Sequence, residues 1–378
     1  MAGKRTKTYS CYDYSLLFLT LFLVCFGLIM IYSTSAYSAQ VFRNGDSMYY
    51  LKRQGYSAIL GIVVMLIVSR LDYRLLLEKL PLLPLKPVAL SYIGALLLQA
   101  AVFIPGLGVE YNGAKRWLKL GPVQFQPSDI TKVAVILFVS YMIYLSPKRM
   151  DKFGGFLRIA FYMSPLILLV LVENMSTAIV LCAILVGICF VGSRKKWYYF
   201  VAAFFLFLGG AAFIFLGKGF RMERIKIWLD VENHEKGFQI LQGLYAIASG
   251  GLTGTGLGGS MQKLGYVPEA QNDMIFSIIC EELGLFGAVT VILLFVLLIW
   301  RLFVISINAP DLFGGLMCTG ILVHIAVQVV INIAVVTNSI PSTGIPLPFI
   351  SYGGTSIAVL LAEMGLALSV SNQIKYER

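Results

Sequence analysis

Apolar residues in this chain do not alternate with polar ones. They gather in long uninterrupted runs separated by short polar stretches. A helix crosses the roughly 30 Å core of a bilayer with about 20 apolar residues, or about 17 at the short end. Runs of this kind occupy Tyr14–Ser33, Gly55–Val68, Pro87–Ile104, Ser128–Leu145, Phe156–Val172, Ser176–Val191, Trp197–Leu216, Met274–Trp300, Leu312–Val336 and Thr355–Ser371. The second and sixth are short and read as tilted or partly buried. The pattern predicts an all-α integral membrane protein with about ten transmembrane helices. It forms one polytopic domain over residues 1–378, because no stretch is polar enough for a separate soluble unit. Lys4, Arg5 and Lys7 before Leu16–Ile31 imitate a signal peptide. That run is long for a signal core and further spans follow, so it reads as an uncleaved first helix.

Three connecting stretches are richer than plain linkers: Pro105–Pro127, Gly217–Asp273 and Thr337–Gly354. Loops longer than about 15 residues are usually functional or disordered, and Gly217–Asp273 is too apolar for disorder. Within it, Phe220–Leu229 sets Met222, Ile225 and Leu229 at helical spacing, with Arg221, Arg224 and Lys226 around them and Trp228 beside. That composition predicts a helix lying in the membrane interface. Gly237–Ser249 predicts a second, with Phe238, Leu241, Leu244, Tyr245 and Ala248 on its apolar side. Both sit between the seventh and eighth spans. Thr337–Gly354 holds Pro341, Pro346 and Pro348, which stiffen it, and Gly344, Gly353 and Gly354, which let it turn. It reads as a re-entrant loop whose backbone is satisfied inside protein.

Composition agrees. The chain is 58% hydrophobic and 13% charged, against about 25% charged in soluble domains. Its net charge of +11 does not point to nucleic acid, because the basic residues cluster in short loops. An inside N-terminus puts Lys4, Arg5, Lys7, Arg70, Arg74, Lys79, Lys86, Lys148, Arg149, Lys152, Arg158, Arg194, Lys195, Lys196, Arg301, Lys375 and Arg378 in the cytoplasm. The short outer loops then hold Arg43, Lys52, Arg53, Lys115, Arg116 and Lys119. This is the positive-inside bias; the Gly217–Asp273 loop is left out because long loops follow the rule poorly. Both termini are expected in the cytoplasm. Cys11, Cys25, Cys182, Cys189, Cys280 and Cys318 form no C-x-x-C pair, and His234 and His324 are too few for a histidine metal site.

The outer loops carry the chemistry. Carboxylates such as Glu110, Asp129, Glu223, Glu269 and Asp273 stand among Lys115, Arg116, Lys119, Arg221, Arg224 and Lys263. A carboxylate base among cations suits transfer chemistry on a phosphate-bearing substrate. Most such charges in proteins are solvated loop residues, so the order of the residues says more. Gly113-Ala-Lys-Arg-Trp-Leu118 is followed by Phe125-Gln-Pro-Ser128 and Lys132. Gly243-Leu-Tyr-Ala-Ile-Ala-Ser-Gly-Gly251 leads to Val267-Pro-Glu-Ala270, Asp273, Ile275-Phe276 and Glu281-Glu-Leu-Gly284. Thr343-Gly-Ile-Pro-Leu-Pro-Phe-Ile-Ser-Tyr-Gly-Gly354 closes the set. These motifs closely resemble the SEDS family (shape, elongation, division and sporulation). The division branch is nearest, with the sporulation and elongation branches as relatives.

The resemblance implies ten membrane helices and polymerisation of lipid II, the undecaprenyl-pyrophosphate-linked disaccharide peptide, on the outer face of the bacterial cytoplasmic membrane. It implies a class B penicillin-binding protein as partner, with other divisome proteins around it. Asp273 falls on the family's essential aspartate, a general base for a sugar hydroxyl. The competing reading is an N-cap before Met274. Candidate substrate-binding residues are Lys115, Arg116, Lys119, Asp129, Lys132, Arg221, Arg224, Glu269 and Ser351. No resident cofactor is expected; a divalent cation, Mg or Mn, is left open by the phosphate chemistry. This chain departs from the family at Asp129, where Glu is usual, and at Gln271-Asn272, where His-Thr is frequent. It departs again at Glu173-Asn-Met-Ser-Thr177, where Gln-Pro-Asp-Leu-Gly-Thr is frequent. Glu281 and Glu282, deep in a span, are read equally as functional or as packing groups. Gly254-Thr-Gly-Leu-Gly-Gly259 matches a dinucleotide fingerprint but has no strand before it, so it reads as a turn. Two other functions stay open: a lipid II flippase, and a scaffold for penicillin-binding proteins.

Overall fold

The computed structural model describes residues 8–10, 12–80, 85–111, 114–121, 123–201, 204, 208 and 220–377. Its helices are α1 (Tyr14–Phe42), α2 (Tyr49–Arg70), α3 (Pro87–Ala101), α4 (Pro127–Leu145), α5 (Phe153–Glu173) and α6 (Met175–Gly192). They continue as α7 (Phe220–Leu229), α8 (Phe238–Ser249), α9 (Ile275–Ile307), α10 (Leu312–Val336) and α11 (Ser356–Asn372). Among the described residues, seven helices are long and apolar enough to cross a bilayer: α1, α2, α4, α5, α6, α9 and α10. Helices α3 and α11 are apolar and shorter. Each coincides with a run read from the sequence. The remaining run, Trp197–Leu216, is helical at 197–201, 204 and 208 and otherwise lies outside the described residues, as do Gly113, Lys218 and the basic N-terminal residues.

Local chemistry sets the helix ends. Asp13, Asn174 and Asp311 accept backbone N–H groups at the starts of α1, α6 and α10, and Pro87 and Pro127 open α3 and α4. Helix α1 runs well past the apolar stretch. Thr34 and Ser35 return their hydroxyls to the carbonyls of Met30 and Ile31 at 2.8 and 2.6 Å, so the polar tail stays helical. Helices α2 and α11 meet through small residues. A Cβ on Gly61 would lie 2.8 Å from Ala358 Cα, and one on Gly365 would lie 2.8 Å from Met65 O. Without a hydrophobic drive inside lipid, close backbone approach of this kind supplies the packing.

Two small sheets, absent from the all-α expectation, complete the chain. Strands β1 (Thr8–Ser10) and β5 (Lys375–Glu377) pair antiparallel and join the termini. Strands β2 (Gly108–Tyr111), β3 (Ala114–Leu120) and β4 (Val123–Phe125) form an antiparallel sheet within the Pro105–Pro127 loop. Helices α7 and α8 lie where the sequence placed them, but they bury other faces. The protein-facing residues are Ile227 on α7 and Ile240, Gly243 and Ala246 on α8, while Leu229, Phe238 and Tyr245 are exposed. Leu241 and Leu244 of the expected stripe pack against Ile227, Val231 and Ile240, so that stripe is divided between the protein and the surroundings.

The glycine-rich run is more than a turn. Helix α9 breaks at Gly284 (φ +65°), and the run threads across the break. Thr255 and Gly256 donate to the carbonyls of Glu281 and Glu282, and Leu285 donates to Gly251 O, each at 2.9 Å. A Cβ on Gly254 would sit 2.2 Å from Glu282 O. Backbone lies against backbone, which only glycine permits at these positions. Beneath the crossing, Lys263 Nζ meets Glu282 at 2.7 Å and Ser33 Oγ at 3.1 Å. Glu281 accepts the Ser260 hydroxyl and the Met261 N–H. Both glutamates therefore anchor the loop before the site, which favours the packing reading, and Lys263 is taken up by Glu282.

Candidate functional site

Asp273 stands just ahead of α9, with Met274 as the helix boundary. No side chain caps that helix start, so the N-cap reading does not hold. The strip 268–273 is stitched down on both sides. Gln239 donates to Pro268 O at 3.0 Å, and Tyr352 N–H donates to Gln271 O at 2.8 Å. Asn332 Nδ2 donates to Asp273 O at 2.8 Å. Glu269 takes a left-handed conformation (φ +49°) and accepts Asn272 Nδ2 at 2.8 Å. Gly344 of the Thr337–Gly354 loop, also left-handed, passes close by. A Cβ there would lie 3.7 Å from Asp273 Oδ2. Burial pushes the Asp273 carboxyl above its usual range; Glu269 adds to the shift, while the residue's own backbone N–H and Arg224 oppose it. A base raised toward neutrality is a stronger proton acceptor at working pH.

Arg224 faces this carboxyl, and Arg116 stands near Arg224 from a separate loop. Arg224 on α7 donates to Ser342 O at 3.1 Å, and Trp228 on the same helix donates to Asn338 O at 2.9 Å. Helix α7 is thereby clipped to the Thr337–Gly354 loop. Arg116 arrives from β3. The register steps from Val109↔Trp117 to Glu110↔Lys115, so β3 carries an extra residue at Arg116. Bulges re-aim side chains beside active sites. Here Arg116 Nε reaches the Glu173 carbonyl at 2.9 Å, while the Glu173 carboxylate accepts Lys115 N–H at 2.8 Å. Burial lowers both guanidinium pKa values; Arg116 lowers that of Arg224 further, and Asp273 opposes. Guanidinium groups are the side chains best shaped to bind phosphate oxygens.

The other candidates separate. Lys119 is exposed on β3. Lys115 anchors through its backbone. Asp129 and Lys132 pair with each other at 2.9 Å, both buried at the start of α4. Ser351 is turned inward, its hydroxyl taken by Leu347 N–H at 2.8 Å. Arg221 opens α7, and its side chain lies outside the described residues. Two contributors were not singled out as site residues from the sequence. Glu173 sits at a turn whose residues depart from the family motif, and Asn332 is hidden in an apolar run. Among the described residues no three His, Cys, Asp or Glu side chains gather as a metal cage.

Comparison with known proteins decides the family. The family of FtsW, RodA and SpoVE, described as "Cell cycle protein", matches residues 14–376. The chain belongs to this family. Stage V sporulation protein E of Bacillus subtilis is 37% identical over 385 residues, covering 100% of both chains. A probable peptidoglycan glycosyltransferase FtsW of Geobacter sulfurreducens is 35% identical over 379 residues, covering 99% of this chain and 98% of its own. Among solved structures, a chain from a peptidoglycan synthase complex that coordinates polymerization and crosslinking matches with a TM-score of 0.80 and 28% identity. The match covers 96% of this chain and 98% of that one. The rod shape determining protein RodA of Thermus thermophilus matches with a TM-score of 0.67 and 26% identity, over 97% and 98% of the two chains. In this chain Asp273 stands ahead of α9, Arg224 on α7 and Arg116 on β3, with Arg224 in the field of the other two.

Proposed function

We propose that this chain is a peptidoglycan glycosyltransferase that polymerises lipid II on the outer face of the bacterial cytoplasmic membrane during cell division. The observation that supports it most is a carboxyl whose pKa is raised, Asp273, facing Arg224, with Arg116 beside that guanidinium. In this reading, the acceptor sugar's 4-hydroxyl gives its proton to Asp273 as its oxygen attacks the donor's anomeric carbon. The bond from that carbon to the lipid pyrophosphate breaks, and the pyrophosphate leaves with the electron pair. A pyrophosphate needs cations and N–H groups rather than an acid, which is the role of Arg116 and Arg224. Where a divalent cation takes part, Asp273 and Glu269 are the carboxylates that would share it with the substrate, and it would offset phosphate charge. The partner would be a class B penicillin-binding protein, within the divisome. The basic residues of the short loops favour a cytoplasmic N-terminus and an outward-facing site.

A buried pair gives a second reading some weight. His324 Nδ1 lies 2.8 Å from Glu363 Oε2, halfway along α10 and wholly buried. Polar groups near the midplane are typical of transporters, so a lipid II flippase is the alternative. Substrate titration tests the first reading. Arg116→Ala is expected to raise the KM for lipid II at least about tenfold, the worth of one charge-assisted contact. Arg149→Ala, in a cytoplasmic turn, should leave it unchanged. Equal effects would reduce the outer-loop cations to topology and solubility.

A further inference from the structure

Asn332 is an amide in the outer part of an apolar helix, and it is 1% exposed. Its single NH2 group makes two hydrogen bonds, to Asp273 O at 2.8 Å and to Ile345 O at 2.9 Å. Its own Oδ1 has no partner among the described residues. A buried amide that leaves its own oxygen unsatisfied is a costly way to fill space in an apolar helix. What the amide supplies is a tie between two chain segments that both bear on the carboxyl.

The first segment is the start of α9. Ser277 N–H bonds to Met274 O, leaving the Asp273 carbonyl to Asn332 rather than to the helix. Asp273 is thereby held outside the helical turn, at the lip. The second segment is the Thr337–Gly354 loop. Ile345 follows Gly344, the residue that passes close to Asp273 Oδ2. One NH2 group therefore sets the spacing between the carboxyl and that loop. Arg224 is fixed to the same loop by its own bond to Ser342 O, two residues before Gly344, so it does not depend on the Asn332 tie.

We infer that Asn332 is a positioning residue for Asp273, holding the base and the Thr337–Gly354 loop in register for the transfer step. This rests on the glycosyltransferase reading. Misplacing a reacting group by about 1 Å can cost about 10²-fold in rate. Asn332→Leu should therefore lower kcat for lipid II polymerisation by about 10–100-fold, with KM within about twofold of the wild type.

Three comparisons separate positioning from simple packing. In an Asp273→Asn background, Asn332→Leu should cause little further loss, because the residue acts through Asp273. Asn332→Gln keeps the donors but shifts them by a methylene; it should lose several-fold in kcat at unchanged KM. It also serves if Asn332→Leu does not fold. Normal kcat in either folded variant would overturn the assignment. So would an equal proportional loss in both backgrounds, or a rise in KM at constant kcat. Full polymer yield from Asp273→Asn would instead remove the base assignment beneath it, whatever Asn332 does.

Discussion

Asp273→Asn is expected to lower polymer formation from lipid II by about 10²–10⁴-fold, the usual loss when base catalysis is removed. The substitution is nearly isosteric. The stitching of residues 268–273 runs through backbone carbonyls, Asn332 and Tyr352, so the strip should keep its shape. Thermal stability in detergent and recovery of a penicillin-binding protein partner should match the wild type. The raised carboxyl adds a pH signature. Asp273 must be ionised to accept a proton, and burial lifts its pKa. Activity should fall on acidification at a pH above the ordinary Asp value of about 3.9, while the fold persists. Near-normal polymer yield from folded Asp273→Asn protein would refute the assignment.

Lys263→Met should have the largest effect on stability. Lys263 is 8% exposed and Glu282 is 0% exposed, and they meet at 2.7 Å. Removing one partner leaves an uncompensated buried charge, a loss of about 3–5 kcal/mol. Ser33 remains as a donor to Glu282 at 2.7 Å but brings no charge. The double substitution Lys263→Met with Glu282→Leu should recover most of the loss, since well-packed apolar residues often replace a buried pair at little cost. Unfolding midpoints of the purified variants in detergent measure this. A Lys263→Met protein as stable as wild type would mean that the loop crossing at Gly284 is held by its backbone bonds and Glu281 without the ion pair.

The membrane helices were legible because the bilayer imposes a length and forbids charge. For α10 the apolar run and the helix coincide, Leu312–Val336. The ends of α1 and α9 were not legible, because both helices run on past the apolar stretch into residues that hydropathy does not assign to a span. The β2–β3–β4 sheet was missed because its strands are short and charged, and nothing in Ala-Lys-Arg-Trp-Leu-Lys-Leu announces a pairing partner. The bulge that aims Arg116 depends on register, which a linear sequence does not carry. Arg116 and Arg224 were named as cations, yet so was Lys119, and only the fold separates them. The interfacial helices were read correctly as helices, but periodicity does not tell the lipid face from the protein face. Asn332 and the His324–Glu363 pair sat inside apolar runs, where one polar residue barely changes the average. Glu173 was passed over because it departs from the family's motif, yet its carbonyl and carboxylate hold β3 in place.

The central claim is that the chain itself joins sugars, with Asp273 as base, rather than moving or merely gathering lipid II. The most direct measurement is incubation of the purified protein with lipid II, alone and with a class B penicillin-binding protein, followed by gel separation of the products. The account predicts long glycan strands that are absent with Asp273→Asn. Transbilayer movement of lipid II in proteoliposomes, with no polymer under any condition, would contradict it.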